Sequence, residues 1–205
     1  MNRWIDWVKQ IRAISQAGLT YSKDKFDIER FVQLEAIAAD MFAHLSSAPV
    51  EQVAELFLPE TGYPTPKIDL RAGVIRDGQI LLVREREDGL WTLPGGWADV
   101  CESPSEGVIR EVLEESGYVV ANPRLVAVKD RDKHPYLPKY PFHIYKLFFL
   151  CDRVGGKAQD NLEISEIGFF APDALPPLSL SRVSADDIAM LFEYNAHPDQ
   201  RIYVD

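Results

Sequence analysis

The stretch Leu93–Tyr118, LPGGWADVCESPSEGVIREVLEESGY, sets a tight glycine loop against a short segment crowded with carboxylates. Ser103, Pro104 and Glu106 have the order of an N-cap, a first-turn proline and a capping-box glutamate, and Gly117 stands where a C-cap glycine belongs. These signals predict a helix from Pro104 to about Ser116, with Val108, Ile109, Val112 and Leu113 as its buried stripe. Glu111, Glu114 and Glu115 then stand at i, i+3 and i+4 and share one face. Like charges at that spacing repel, by roughly a few tenths of a kcal/mol per pair. Two arrangements relieve the repulsion. One is a solvated acidic face with Arg110 bridging Glu106 and Glu114. The other is a divalent cation between the carboxylates, whose hard oxygens suit Mg2+ or Mn2+.

The rest of the chain narrows the setting. It has 205 residues, enough for one good-sized domain and an extension, with 46% hydrophobic and 26% charged residues as in ordinary soluble proteins. No apolar run approaches the ~20 residues a membrane helix needs. The start, MNRWIDWVKQIRAISQ, is interrupted by Asp6, Lys9 and Gln10 and lacks the continuous apolar core of a signal peptide, so a cytoplasmic location is expected. Cys101 and Cys151 form neither a disulfide framework nor a metal-knuckle spacing and read as reduced thiols. A net charge of −10 argues against DNA and membrane partners, which want basic surface. An acidic chain that handles anionic substrates needs local Arg or Lys, or bound divalent cations.

Two modules are legible along the chain, residues 1–63 and 64–205. The first reads as helical: Trp4, Trp7, Val8, Ile11 and Ile14 make one stripe. A second helix is expected from Asp27, with Phe26 and Phe31 as a hydrophobic staple and Phe31, Leu34, Ala38, Met41, Phe42 and Leu45 as its stripe. Pro49 suits the start of a third short helix ending near Phe57, and LPETGYPTPK, Leu58–Lys67, reads as a linker. Strand patterning follows. Ile68, Leu70, Ala72 and Val74 alternate at period two, Asp77-Gly78 supplies a type I′ turn, and QILLV returns as the partner strand. Further strands are expected at Arg124–Lys129, His143–Cys151 and Ile167–Phe170, and a last helix from Ser184, boxed by Asp187. The fold class is mixed α/β with a small helical domain in front.

The spacing Gly96, five residues, Glu102, seven residues, Arg110-Glu111-Val112, one residue, Glu114-Glu115, one residue, Gly117-Tyr118 resembles the signature of the Nudix hydrolases at every fixed position. Its soft departure is Tyr118, where a small aliphatic residue is usual. The resemblance implies an α/β/α sandwich around a mixed sheet, with the signature as loop–helix–loop. It implies hydrolysis of a nucleoside diphosphate linked to some group X. By the same resemblance Glu111, Glu114, Glu115 and the Gly96 carbonyl would ligate Mg2+ or Mn2+. Glu102 and Arg110 would hold loop and helix together by an ion pair, and Gly96, Glu102 and Gly117 would shape the signature. Family members often use a further glutamate before a late strand as base or ligand. In NLEISEIGFF both Glu163 and Glu166 are candidates.

The helical front end, with GLTYSKDKFDIERF and TPKIDLRAGVI, resembles bacterial Nudix enzymes described as CDP-choline or ADP-ribose pyrophosphatases. The substrate expected first is CDP-choline, split to CMP and phosphocholine. ADP-ribose or another nucleotide sugar comes next, then RNA ends, and a nucleotide-binding sensor is the non-enzymatic alternative. Cys101 departs from the glycine common before Glu102; where that glycine serves a positive φ, the loop must adjust. Arg71 and Arg84 are placed to meet phosphate oxygens or to pair at the surface. Trp97 can stack on a base or pack. In KDRDKHPYLPKYPFH, Tyr136, Tyr140 and Phe142 could cage a quaternary ammonium, while His134 reads as a surface histidine. Trp4 and Trp7 call for a partner surface, either their own second domain or a second subunit in a homodimer.

Overall fold

The computed structural model describes residues 3–46, 61–159 and 161–205. The third helix expected from Pro49 to Phe57 and the first part of the expected linker lie outside the described residues. The chain divides into two compact units: Met1–Pro66 with Pro138–His143, and Lys67–Leu137 with Ile144–Asp205.

In the first unit, helices α1 (Arg3–Tyr21) and α2 (Lys25–Ser46) pack through Ile5 and Val8 against Ala38, Ala39, Phe42 and Ala43. The expected stripes are therefore rotated. Val8, Ala38 and Phe42 are buried, but Trp4, Trp7, Ile14, Leu34 and Leu45 are exposed, and the two tryptophan rings meet edge to face at 5.0 Å. Small alanines let the helices approach closely, so the inner face of α1 carries Ile5 and Val8 rather than the indoles. α2 also begins two residues earlier than Asp27. The Asp24 carboxylate accepts the Phe26 and Asp27 amides at 2.9 and 3.1 Å and is the true cap. Phe26 thus lies inside the first turn, exposed, and forms no staple. Gly62 is pinned to α1 from both sides: Gln16 Nε2 donates to its carbonyl, and its amide donates to Thr20 Oγ1.

The second unit has two sheets. Strand β1 (Lys67–Gly73) runs parallel to β6 (Ile144–Gly156). β5 (Tyr118–Asp130) pairs antiparallel on the other side of β6, and β8 (Tyr203–Val204) lies parallel to β5. The second sheet joins β2 (Ile75–Arg76), β3 (Gln79–Glu85) and β4 (Trp91–Thr92), with β7 (Ile164–Phe170) antiparallel to β3. The expected turn is present: Asp77 and Gly78 have φ 51 and 75 and close the β2–β3 hairpin. The strand before it is not one piece, however. β1 leaves for β6, and only two residues pair across the turn. The break falls at Val74, after Gly73, on which a Cβ would lie 3.0 Å from both Leu191 methyls. β4 and β8 were not legible, since two-residue strands carry no periodicity.

Helix α3 (Pro104–Ser116) packs on one side of the sheets and helix α4 (Ala185–Ala196) on the other, giving the α/β/α layering. Val108 and Val112 of α3 meet Leu70, Ala72, Leu81 and Phe149, while Ile188 and Leu191 of α4 meet Ile80, Leu82, Val126 and Phe148. Both capping boxes form as expected. Ser103 and Glu106 exchange bonds at α3, Ser184 and Asp187 at α4, and Gly117 ends α3 at φ 72. One expectation for α3 fails: Leu113 is 49% exposed, and Glu115 and Ser116 are buried instead.

Candidate active site

The loop before α3 is held as an extra strand on β1. The Ala72, Leu70 and Ala98 amides donate to the Pro94, Gly96 and Ile68 carbonyls at 2.9, 2.8 and 2.9 Å. Gly95 has φ 139, and a Cβ there would sit 2.0 Å from the Leu70 carbonyl oxygen, so only glycine fits. Its amide points across the loop and donates to Glu115 Oε2 at 2.9 Å. Glu111 lies against the next residue, for a Cβ on Gly96 would be 3.1 Å from Glu111 Oε1. The loop and the glutamate face of α3 are thus brought together.

The three glutamates differ in environment. Glu115 is 6% exposed. Burial pushes its pKa up to about 8, against the opposing pull of Arg71 and the Gly95 amide. Glu111 is also pushed up, by burial first, with Arg110 opposing. Glu114 stands at the exposed rim and takes Arg110 Nη1 at 2.8 Å. Arg110 forks onto Glu102 through Nε at 2.8 Å and Nη2 at 3.1 Å, tying helix to loop, and also reaches Glu111 at 3.0 Å and Asp99 at 3.4 Å. The surface bridge expected from Arg110 to Glu106 is absent, because Glu106 serves the cap of α3.

One arginine therefore serves Asp99, Glu102, Glu111 and Glu114, and Glu115 has no direct cationic partner among the described residues. Carboxylates crowded and desolvated this far fit a divalent cation, whose preferred ligands are hard oxygens. Glu111 and Glu115, facing Gly95 and Gly96, have the donor chemistry for it. The Gly96 carbonyl already accepts the Leu70 amide, which leaves its second lone pair for a metal.

The remaining expected residues divide. Arg84 pairs across strands with Glu166 and donates to the Gly89 carbonyl at 2.7 Å, and its side chain is 41% exposed. Trp97 follows Gly96 and is 47% exposed. Glu163 sits in the turn before β7. The Asn161 side chain accepts the Glu163 and Ile164 amides and donates to the Glu114 carbonyl at 2.7 Å, so the turn is fastened to the end of α3. Arg71 is not a surface residue. Its guanidinium is buried, doubly bonded to Asp69 at 2.9 Å and donating to the Leu93 carbonyl at 3.2 Å, which leaves it unsuited to meet phosphate. Tyr136 is fully buried, with its hydroxyl donating to Asp187 at 2.8 Å, so it presents no face to a ligand and cannot be a cage wall. Tyr140 and Phe142 stack on each other at 5.4 Å.

Several residues near the glutamates escaped the sequence reading. Glu85 ends β3, is pushed up by burial, and pairs with Arg182 at 3.1 Å. It acts electrostatically on both Glu115 and Arg71. Asp69 pairs with both Arg71 and Lys146. The available signal was Asp69 and Arg71 at i and i+2, opposite charges on one face of a strand whose other face, Ile68, Leu70 and Ala72, is apolar.

Residues 68–191 match the NUDIX domain family, and residues 2–57 match Nudix_N, described as a UDP-X-like N-terminal oligomerisation domain. YjhB of Bacillus subtilis (strain 168), provisionally named an ADP-ribose pyrophosphatase, is 44% identical over 99% of this chain and 97% of its own length. The crystal structure of a UDP-X diphosphatase superposes with a TM-score of 0.64 at 35% identity, covering 99% of this chain and 98% of that one. An ADP-ribose pyrophosphatase from Streptococcus suis 89-1591 gives a TM-score of 0.63 at 41% identity, over 69% of this chain and all of its own.

Proposed function

The chain belongs to the Nudix hydrolases, pyrophosphohydrolases of nucleoside diphosphate derivatives, and from that premise we propose that Glu111, Glu114, Glu115 and the Gly96 carbonyl hold a divalent cation for the cleavage. The observation that carries this reading is Glu115, buried beside Gly95 with its pKa raised by desolvation. A carboxylate is costly to keep there without a cation to meet it. When bound, Mg2+ or Mn2+ supplies neutralisation of the diphosphate charge and acidifies or orients the attacking water.

The protein's own groups do the positioning. Arg110 and Glu102 lock helix to loop through a fork separate from the Arg110–Glu114 contact, so Glu114 would be able to serve a cation without loosening it. Arg84, part-exposed at the solvent edge, is the arginine we assign to substrate oxygens, which it would reach on leaving Glu166. Trp97 offers an aromatic face beside Gly96. Glu163 is the better-placed base: its turn is tied to α3, whereas Glu166 is occupied by Arg84.

For the substrate we favour a nucleoside diphosphate linked to a sugar, with ADP-ribose first and UDP-linked compounds next, in keeping with the named activities of the two relatives that span nearly the whole chain. CDP-choline stays in the comparison but is weakened, because burial of Tyr136 removes a wall from the expected cage. We also propose a homodimer formed through the N-terminal helices, in keeping with the oligomerisation family they match. The two free thiols fit a reducing compartment such as the cytoplasm. The deciding experiment measures phosphate released, by coupled phosphatase, from ADP-ribose, UDP-sugars and CDP-choline with and without Mg2+ or Mn2+. Metal-dependent turnover of ADP-ribose that Glu115→Gln abolishes supports the reading; turnover indifferent to Glu115 sinks it. A monomer mass by light scattering would sink the dimer.

A further inference from the structure

Beneath the glutamate face lies a buried charged triad that no part of the signature motif includes. Asp69 and Lys146 are register partners on the parallel strands β1 and β6, and Arg71 follows Asp69 on the same face of β1. One Asp69 oxygen takes both Arg71 Nε and Nη2 at 2.9 Å, and the other takes Lys146 Nζ. All three residues are buried, Lys146 completely. Burial alone would raise the Asp69 pKa, but Arg71 and Lys146 hold it below the ordinary value, so the aspartate stays charged.

The triad carries one aspartate against two cations. Apolar side chains of similar volume usually serve stability as well as, or better than, a buried ion cluster, so such a cluster calls for another explanation. The outward contact of Arg71 supplies one. Its Nη1 donates to the Leu93 carbonyl, two residues before the Gly95 amide that holds Glu115. The path Lys146, Asp69, Arg71, Leu93, Gly95, Glu115 is continuous, with the loop backbone as its last link. Arg71 also lies near enough to Glu115 to act on its charge.

We propose that Asp69 and Lys146 are positioning residues of the metal face: they orient Arg71, which sets the loop that presents the Gly95 amide to Glu115. This rests on the reading of Glu111 and Glu115 as metal ligands. Asp69 and Lys146 are buried and paired with each other, so they would act through Arg71 and not on substrate or metal themselves.

The test is Mn2+ binding by electron paramagnetic resonance to wild type, Lys146→Met, Asp69→Asn and the double variant, with Glu115→Gln as the reference for a lost ligand. In folded Lys146→Met the Mn2+ Kd should rise about tenfold, and kcat on ADP-ribose should fall about tenfold with KM within twofold. The double variant should be no worse than Asp69→Asn alone, because both changes act through Arg71. Where a variant fails to fold, the wild type decides: the 15N resonances of Arg71 Nε and Lys146 Nζ should shift on saturation with Mg2+. Unchanged Mn2+ affinity in folded variants, or unmoved side-chain resonances, overturns the proposal alone. Mn2+ binding indifferent to Glu115→Gln overturns the metal reading and this proposal with it.

Discussion

The Gly95 amide and the Glu115 carboxylate meet at 2.9 Å across twenty residues of chain. This bond joins the glycine loop to the helix at the one glutamate of the three that is nearly sealed from solvent. Replacing Glu115 by Gln keeps a carbonyl for the amide and removes the charge. Turnover should fall at least about a hundredfold, by loss of a ligand that serves the metal's charge stabilisation. The melting temperature without metal should hold or rise at pH 8, because an amide needs no ionisation in a buried site. Steady-state kinetics and a thermal melt on the same preparation check both halves.

Glu115 also makes a pH prediction. Its folded pKa is raised to about 8 from an ordinary 4.5. Between those values the native state holds a proton that the unfolded chain has released, so metal-free stability falls as pH rises through the window. A divalent cation needs the ionised form, so binding releases a proton and the metal's stabilisation grows with pH over the same range. Melting temperatures at pH 5, 6.5 and 8, with and without Mg2+, should diverge as pH rises. A gap independent of pH would contradict this.

Glu163→Gln and Glu166→Gln separate the two candidates for the base. The first should lower kcat by about a hundredfold to ten-thousandfold, the scale of a lost general base. The second, which frees Arg84 from its ion pair and leaves it to meet substrate oxygens, should stay within about threefold in kcat. The reverse order would assign the role to Glu166.

Cys101 holds φ 66, a left-handed backbone conformation that costs a side-chain-bearing residue about 1–2 kcal/mol. The loop keeps the geometry a glycine would prefer and does not adjust to the cysteine. Cys101 is exposed, so Cys101→Gly removes no packing. It should stabilise the protein by about 1 kcal/mol in urea unfolding while leaving kcat unchanged.

Tyr136→Phe leaves the ring in place and removes the bond to Asp187. A lost buried hydrogen bond of this kind costs about 1–2 kcal/mol. KM for CDP-choline and for ADP-ribose should not change. A selective rise in KM for CDP-choline would restore Tyr136 as a ligand residue.

The signature helix was legible almost residue by residue, because caps, spacing and charge all act within one turn of local chain. What escaped depends on contacts between distant segments. The i, i+2 pair of Asp69 and Arg71 is visible in β1, but its burial is decided by β6 pairing parallel with β1, and Lys146, 77 residues from Asp69, leaves no local trace. The stripes of α1 and α2 were misread for a related reason: periodicity finds an apolar face, but the choice between indoles and alanines for the contact depends on how closely the second helix approaches. Tyr136 looked like a loop aromatic because its segment is rich in proline, and only the position of Asp187 on α4 shows that the loop dives into the core.

The exchange at α3, with Leu113 outside and Glu115 inside, places this fold in tension with its own durability. A screen that selects heat resistance and ignores catalysis should find position 115 early and prefer an uncharged residue there. Resistance and activity would then part at a single codon, and the glutamate's persistence in a lineage would report continued demand for the reaction rather than for the fold.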